Sequence, residues 1–499
     1  MRSSSDTPRE RRARCRISTI AFSAVLAAQG PAPPQQESPT KGLVRKGKVP
    51  VSNEILRTRL PAPAEIDLPN GLHVMVLEDH RLPQVNFQAF IPGAGGYYDP
   101  PDNAGLASFT ASLMREGTAT QTSDQISQRL EVMAAGLAVG AGGSATEATV
   151  TGNCLSEHFP ALIEMAADVM LHPSFPEEEV ARFKQRTRVA LTQTRANPGF
   201  LAQEMFQRVV YGDHPASRLL ATIPSLEKTT RDALVQFHKT HYVPDHAALA
   251  VSGDVSMAEV RALILDKFSG WNKAGTAPAA VTDPAPIAGS KIYFVARPNS
   301  VQTNLIVGGQ AIERTNPDYD ALMVMNKVLG GGPTGRLFIH LREEKGYTYG
   351  VGSSVSAPMH RGEWAASTSV RTEVTEPALH DLLAEIALMR DQPVSDQELA
   401  DAKRAMIASF ALSLENPAQL LNYYVTRWRY HLPADYWDRY AERVGAIGKE
   451  QAQTIARKYL GADRLQIVAV GDPAKVADTL KKFGTVETYD ADGKRVGGD

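Results

Sequence analysis

Apolar and polar positions alternate along this chain with two distinct periods. Short runs such as HVMVL (His73 to Leu77) and VNFQAFI (Val85 to Ile91) have the length and alternation of strands. Longer stretches, FPALIEMAADVML (Phe159 to Leu171) and EEEVARFKQRTRVALTQTR (Glu177 to Arg195), repeat near 3.6 residues and predict amphipathic helices. The mixture predicts an α+β fold. No such period runs through residues 29–60, which are rich in Pro, Gln, Ser and Lys and read as a flexible tether. Ahead of them Arg9, Arg11, Arg12, Arg14 and Arg16 precede the apolar run ISTIAFSAVLAA (Ile17 to Ala28), so residues 1–28 read as an export signal and the mature protein is expected in the periplasm. That run is short for a bilayer, and no later segment approaches ~18 uninterrupted apolar residues, so no membrane span is expected after signal removal.

The pattern also repeats itself. FPEEEVARFKQRTRVALTQTRANPGFLAQ (Phe175 to Gln203) echoes VSDQELADAKRAMIASFALSLENPAQLLN (Val394 to Asn422), and LAVSGDVSMAEV (Leu249 to Val260) echoes IVAVGDPAKVAD (Ile467 to Asp478). Pro198 and Pro417 are 219 apart and Asp254 and Asp472 are 218 apart, a near-constant offset that argues for a duplicated unit. The expected organisation is an N-terminal half at 61–272, a Pro- and Ala-rich linker at 273–290, a C-terminal half at 291–484 and a tail at 485–499.

Composition narrows the function. The 499 residues hold 53 Lys plus Arg against 55 Asp plus Glu, a formal charge of -2, with the basic residues after the signal scattered. That distribution offers no footprint for nucleic acid. Cys15 and Cys154 are the only cysteines, which excludes a disulfide framework and a C-x-x-C site.

A helix is expected at AGLASFTASLMREGT (Ala104 to Thr118), capped by Asp102 or Asn103 and stopped by Gly117. Its G-L-A-x-F-x-x-x-L-x-x-x-G-T frame, the duplicated halves, YVPDHAALAVSGDV (Tyr242 to Val255) and RLFIHLREEKGYTYGV (Arg336 to Val351) together resemble the pitrilysin and insulinase class of inverted-zincin metallopeptidases, in its short-chain, processing-peptidase-like branch. The resemblance runs from about residue 62 to 480 and implies two homologous halves, each an antiparallel sheet covered by helices, forming half of a clam-shell chamber. In active members of the family this helix carries H-x-x-E-H, whose two imidazoles share a helical face and bind zinc while the Glu handles water.

Here the frame reads Ser108-Phe109-Thr110-Ala111-Ser112. Two hydroxyls and a methyl replace the ligands and the base, and serine is a very weak zinc donor. The family's third ligand, a Glu about eight residues before a turn proline, maps to Ala190, with no acidic residue between Arg182 and Leu201. All four positions are vacant, so no metal is expected on this chain. His238, His241 and His246, with Asp245, cluster in HKTHYVPDH but have no Glu at base spacing, and His340-Leu341-Arg342-Glu343 lacks a closing His. Both are read as structural.

The resemblance implies one retained piece of machinery. A family Arg at the end of a helix and a Tyr seven residues later reach substrate from the half without metal, and they map to Arg342 and Tyr349. Guanidinium and phenol donors suit a peptide carbonyl whose oxygen becomes anionic. Pro333 is expected to open the helix, and Tyr347, Tyr349 and Val351 to share a strand face.

The resemblance therefore implies the non-catalytic subunit of a heterodimeric zinc peptidase. A homologous partner would carry the zinc, the substrate would be a peptide or unfolded segment, and this chain would be inactive alone. The alternative is a homodimeric peptide-binding or scaffold protein with no peptidase partner, with Arg342 and Tyr349 as relics. A hydrolase built on Ser108 or Ser112 has no G-x-S-x-G elbow to support it.

Overall fold

In the computed structural model the described residues are 59–275 and 277–496. The expected export signal and all but the last two residues of the tether fall outside them. Those two residues already belong to the fold: Leu60 is buried, and its backbone N–H donates to Asp438 Oδ1 at 2.9 Å.

Among the described residues, twelve strands form two six-stranded sheets. The first contains β1 (Ala64–Asp67), β2 (His73–Glu78), β3 (Gln84–Pro92), β4 (Gly136–Ala141), β5 (Glu147–Leu155) and β6 (Ala248–Gly253), in the order β1-β2-β6-β3-β5-β4. The second contains β7 (Ile292–Ala296), β8 (Gln302–Gln310), β9 (Thr348–Ser356), β10 (Glu363–Arg371), β11 (Gln466–Gly471) and β12 (Val486–Tyr489), in the order β12-β7-β11-β8-β10-β9. The orders correspond strand for strand except at one edge, where β1 runs antiparallel to β2 but β12 runs parallel to β7. Residues 486–489, expected in a tail, thus complete the second sheet. Their backbone groups are paired because β7 would otherwise present an open edge.

Successive residues of a strand point to opposite faces, and here both faces are covered. In β2, Val74 and Val76 enter one core while Met75 and Leu77 enter another. In β11, Ile467 and Ala469 separate in the same way from Val468 and Val470. The helices Phe159–Leu171, Arg231–His241 and Met257–Lys267 cover one face of the first sheet, and Tyr319–Leu329, Thr375–Asp391 and Lys449–Tyr459 cover the matching face of the second.

The remaining faces are covered by exchange. Helix Pro198–Tyr211 packs Leu201, Met205 and Phe206 on Val295, Ile306, Val468 and Val470 of the second sheet. Its repeat counterpart, Pro417–Arg429, packs Leu420, Leu421 and Tyr424 on Met75, Leu77, Phe90 and Ala250 of the first. Both start alike, because Asn197 Oδ1 accepts from the Gly199 N–H at 2.8 Å and Asn416 Oδ1 from the Ala418 N–H at 2.9 Å, with proline at the first helical position. Arg427 pairs with Glu65 and Arg429 with Glu147, adding ion pairs to the exchanged contact. Between the halves, 272–275 and 277–289 form no helix or strand, yet Tyr98 Oη donates to the Ala279 carbonyl and the Arg361 N–H to Asp283, so the linker is anchored to both sides.

Candidate functional site

The segment in the zinc-helix frame is shorter than expected. The helix spans Leu106–Leu113, followed by a tighter turn at Met114–Glu116. Neither Asp102 nor Asn103 caps it. The buried carboxylate of Asp99 reaches forward instead, accepting from the Gly105 N–H at 2.6 Å and the Ala107 N–H at 2.8 Å. Gly105 sits at φ +100°, where a Cβ would also meet Ala221, so the chain turns sharply and the donors face Asp99. Burial pushes the Asp99 carboxyl up to about 6, outweighing the N–H bonds that favour its charge. Asp102 pairs with Lys228 instead.

At the positions that the resemblance maps to the zinc site, the side chains do not fit the metal. Ser112 Oγ donates to the Ser108 carbonyl at 2.8 Å, so it is turned back on its own helix, and Ala111 is a buried methyl. Ala190 lies on the exposed side of helix Glu177–Arg195, whose contacts to this region come from Phe183 against Phe109 and Arg186 against Glu116. Among the described residues no group of three or more His, Cys, Asp or Glu side chains could hold a metal ion. His238 Nε2 donates to the Met170 carbonyl at 2.8 Å, His241 stacks on Phe237, and burial lowers the pKa of both. His340 Nδ1 lies 2.8 Å from Glu385 Oε1.

Beside the vacated helix, β4 is the edge of the first sheet. Arg115, just after the helix, donates to the Leu137 carbonyl of β4. Local periodicity carries no sign of this contact, because Arg115 and Leu137 are 22 residues apart.

Arg342 and Tyr349 lie at the corresponding edge of the second sheet. Pro333 falls in a turn, and Phe338–Glu344 is a π-helix, a wide coil that often marks functional sites. The Arg342 guanidinium lies 4.6 Å from the centre of the Phe338 ring, with Glu343 at 3.6 Å. The four-residue spacing of Phe338 and Arg342 could have revealed this cation–π contact in the sequence. Edge strand β9 does not keep the expected shared face. Val351 pairs with Thr368 but Thr348 pairs with Val370, so an extra residue is accommodated between them. This bulge re-aims Tyr349, which is 91% exposed although Val351, two residues on, is 8% exposed.

Two sheet-cored α+β lobes with exchanged helices define an inverted-zincin architecture. The comparisons agree. Residues 74–222 match the family model described as "Insulinase (Peptidase family M16)", and residues 228–406 match "Peptidase M16 inactive domain". The chain is 26% identical over 356 residues to an uncharacterized zinc protease of Rickettsia bellii, covering 70% of this chain and 84% of that protein. It is 24% identical over 408 residues to one of Streptomyces coelicolor, covering 79% and 86%. A crystal structure titled as the peptidase M16 inactive domain from Pseudomonas fluorescens superposes with a TM-score of 0.77 at 27% identity, covering 83% of this chain and 98% of that one. A protease from Helicobacter pylori superposes at 0.76 with 16% identity, covering 82% and 100%, and shows the same fold. The chain belongs to the insulinase family of peptidases.

Proposed function

We propose that this chain is the non-catalytic subunit of an exported heterodimeric zinc peptidase, in which a homologous partner carries the zinc and this chain contributes Arg342 and Tyr349 to substrate. The observation that carries the reading is the exposed phenol of Tyr349, held by a bulge on an unpaired sheet edge just after the helix that bears Arg342. A tyrosine this exposed is free to donate to a bound peptide carbonyl. An edge strand can also accept an extended peptide as an added strand, with main-chain bonds supplying affinity and side-chain pockets selectivity. Ser108, Ala111, Ser112 and Ala190 supply no ligand, so the ion must come with the partner. No helix among the described residues is long and apolar enough to cross a membrane.

The test is co-expression with a homologous chain that retains H-x-x-E-H. The reading expects a complex with zinc on the partner alone, and turnover that falls about 10²- to 10³-fold in Arg342→Ala or Tyr349→Phe without loss of assembly. Unchanged turnover in both variants would remove the assigned role. Tight zinc and unaided peptide cleavage by this chain would remove the whole reading. Peptide binding by a homodimer that ignores every zinc-bearing homologue would favour the scaffold.

A further inference from the structure

The C-terminal half holds a cavity whose lining includes neither Arg342 nor Tyr349. It has a volume of about 370 Å³ and opens between helix Tyr319–Leu329, helix Asp396–Ser413 and the segment around Tyr436 and Trp437. Its volume equals that of about twelve liquid waters and falls at the lower end of small-molecule pockets. The walls are aromatic, with Tyr319, Phe410, Tyr423, Tyr436, Trp437 and Tyr440 lining it.

The unusual member of the lining is Arg314. Its residue is 7% exposed, yet among the described residues no carboxylate lies within ion-pair distance of its guanidinium. The guanidinium rests 3.9 Å from the centre of the Tyr319 ring and 5.2 Å from that of Tyr436, and Nη1 donates to Tyr436 Oη at 3.0 Å. Two neighbouring arginines are neutralised. Arg443 Nε bonds Asp320 Oδ2 at 2.7 Å, and Arg429 pairs with Glu147. Asp320 is the one acidic residue of the lining and is committed to Arg443, while Lys327 adds a second cation. A buried charge without a counterion is costly unless something else completes it. Aromatic walls around a planar fork of N–H donors match a flat apolar body ending in a carboxylate.

The repeat strengthens the assignment. With the offset of 219 that relates Pro198 to Pro417, lining residues Met406, Ser409 and Phe410 correspond to Thr187, Ala190 and Leu191. The cavity therefore borders the second-half counterpart of the helix that carries the third zinc ligand in active relatives of the first half.

We propose that this cavity binds a monocarboxylate with an aromatic or apolar body, the carboxylate on Arg314 and the body against the Tyr319, Tyr436 and Trp437 rings. The ligand could be a free organic acid or the C-terminal residue of a peptide, since both offer this chemistry.

The test titrates the full chain by calorimetry, and by fluorescence of Trp437 in the cavity wall, with 4-phenylbutyrate, its neutral amide, the tripeptide Gly-Gly-Phe and that peptide's C-terminal amide. At least one acid should saturate with a Kd of about 1 mM or tighter, and its amide should bind roughly ten- to a hundredfold more weakly for want of a charge-assisted bond. Tighter binding of the tripeptide identifies a peptide terminus, and tighter binding of phenylbutyrate a free acid. Arg314→Met should abolish the preference for acid over amide. Ser409→Trp, at the exposed rim, should block binding in a folded protein even if Arg314→Met does not fold. The proposal fails if neither acid binds, if acids and amides bind equally, or if folded Ser409→Trp binds like the unaltered chain.

Discussion

Replacing Phe206 by alanine tests the exchange of helices between halves. Phe206 belongs by sequence to the first half, but its ring is fully buried against the second sheet, facing Gly308 so closely that a Cβ there would lie 2.9 Å from the ring carbon Cζ. Losing a buried phenylalanine costs about 3–5 kcal/mol, part as transfer free energy and part as cavity. The damage should fall on β8 and β11, which contribute Ile306, Val468 and Val470 to the same cluster. Native-state hydrogen exchange read by mass spectrometry measures it directly. Amides of Gln302–Gln310 and Gln466–Gly471 should lose roughly two to three orders of magnitude of protection, since about 1.4 kcal/mol is a factor of ten. If those amides keep their protection and only β2 and β6, in the same half of the sequence as Phe206, exchange faster, the helix stabilises its own half and the exchanged packing is wrong.

Other consequences follow from single groups. The raised carboxyl of Asp99 means that the folded chain holds that proton more tightly than the unfolded one; the resulting penalty is absent well below pH 3.8, grows as pH rises and levels off above about 6. At 1.36 kcal/mol per pH unit, denaturant titrations should show the unaltered chain losing about 1 kcal/mol more than Asp99→Asn between about pH 5 and 7.5, and a constant gap would refute the burial argument. Glu398 has the opposite sign. Arg336, in a two-point pair at 2.6 and 3.0 Å, pulls it down to about 2, so its contribution is present above pH 4.5 and is lost as pH falls towards 2. Glu398→Gln should be less stable near neutrality and flatter on acidification, as read by thermal melts; a parallel shift at every pH would contradict the pairing. Finally, Ser108→His with Ser112→His should gain measurable zinc or nickel retention by mass spectrometry because the pair shares a helical face, whereas equal metal content in the unaltered chain would show that ligands elsewhere suffice.

Much of the architecture was legible along the chain. The helices Phe159–Leu171 and Glu177–Arg195 appear where periodicity put them, and β2 and β3 extend the expected runs by only one or two residues. The site was legible by type more than by geometry. Serine at 108 and 112 and alanine at 111 and 190 stand where the resemblance puts three zinc ligands and a base, and neither residue type is a useful zinc donor. The cap from Asp99 was missed because its bonds cross a tight turn at Gly105, outside the usual capping position. The face of Tyr349 was misjudged because strict two-residue alternation holds only while a ladder stays in register, and an extra residue breaks it.

The one-dimensional pattern thus determined several of the helices and strands and the near-constant offset between the two halves, since each depends on residue type and spacing along the chain. Tertiary structure alone decided that Pro198–Tyr211 and Pro417–Arg429 trade sheets, that residues 486–489 complete a sheet and that Arg314 sits among aromatic rings with no carboxylate partner among the described residues. Those outcomes depend on which apolar faces meet across a hundred or more residues. Local periodicity shows that a face must be buried, but not against what.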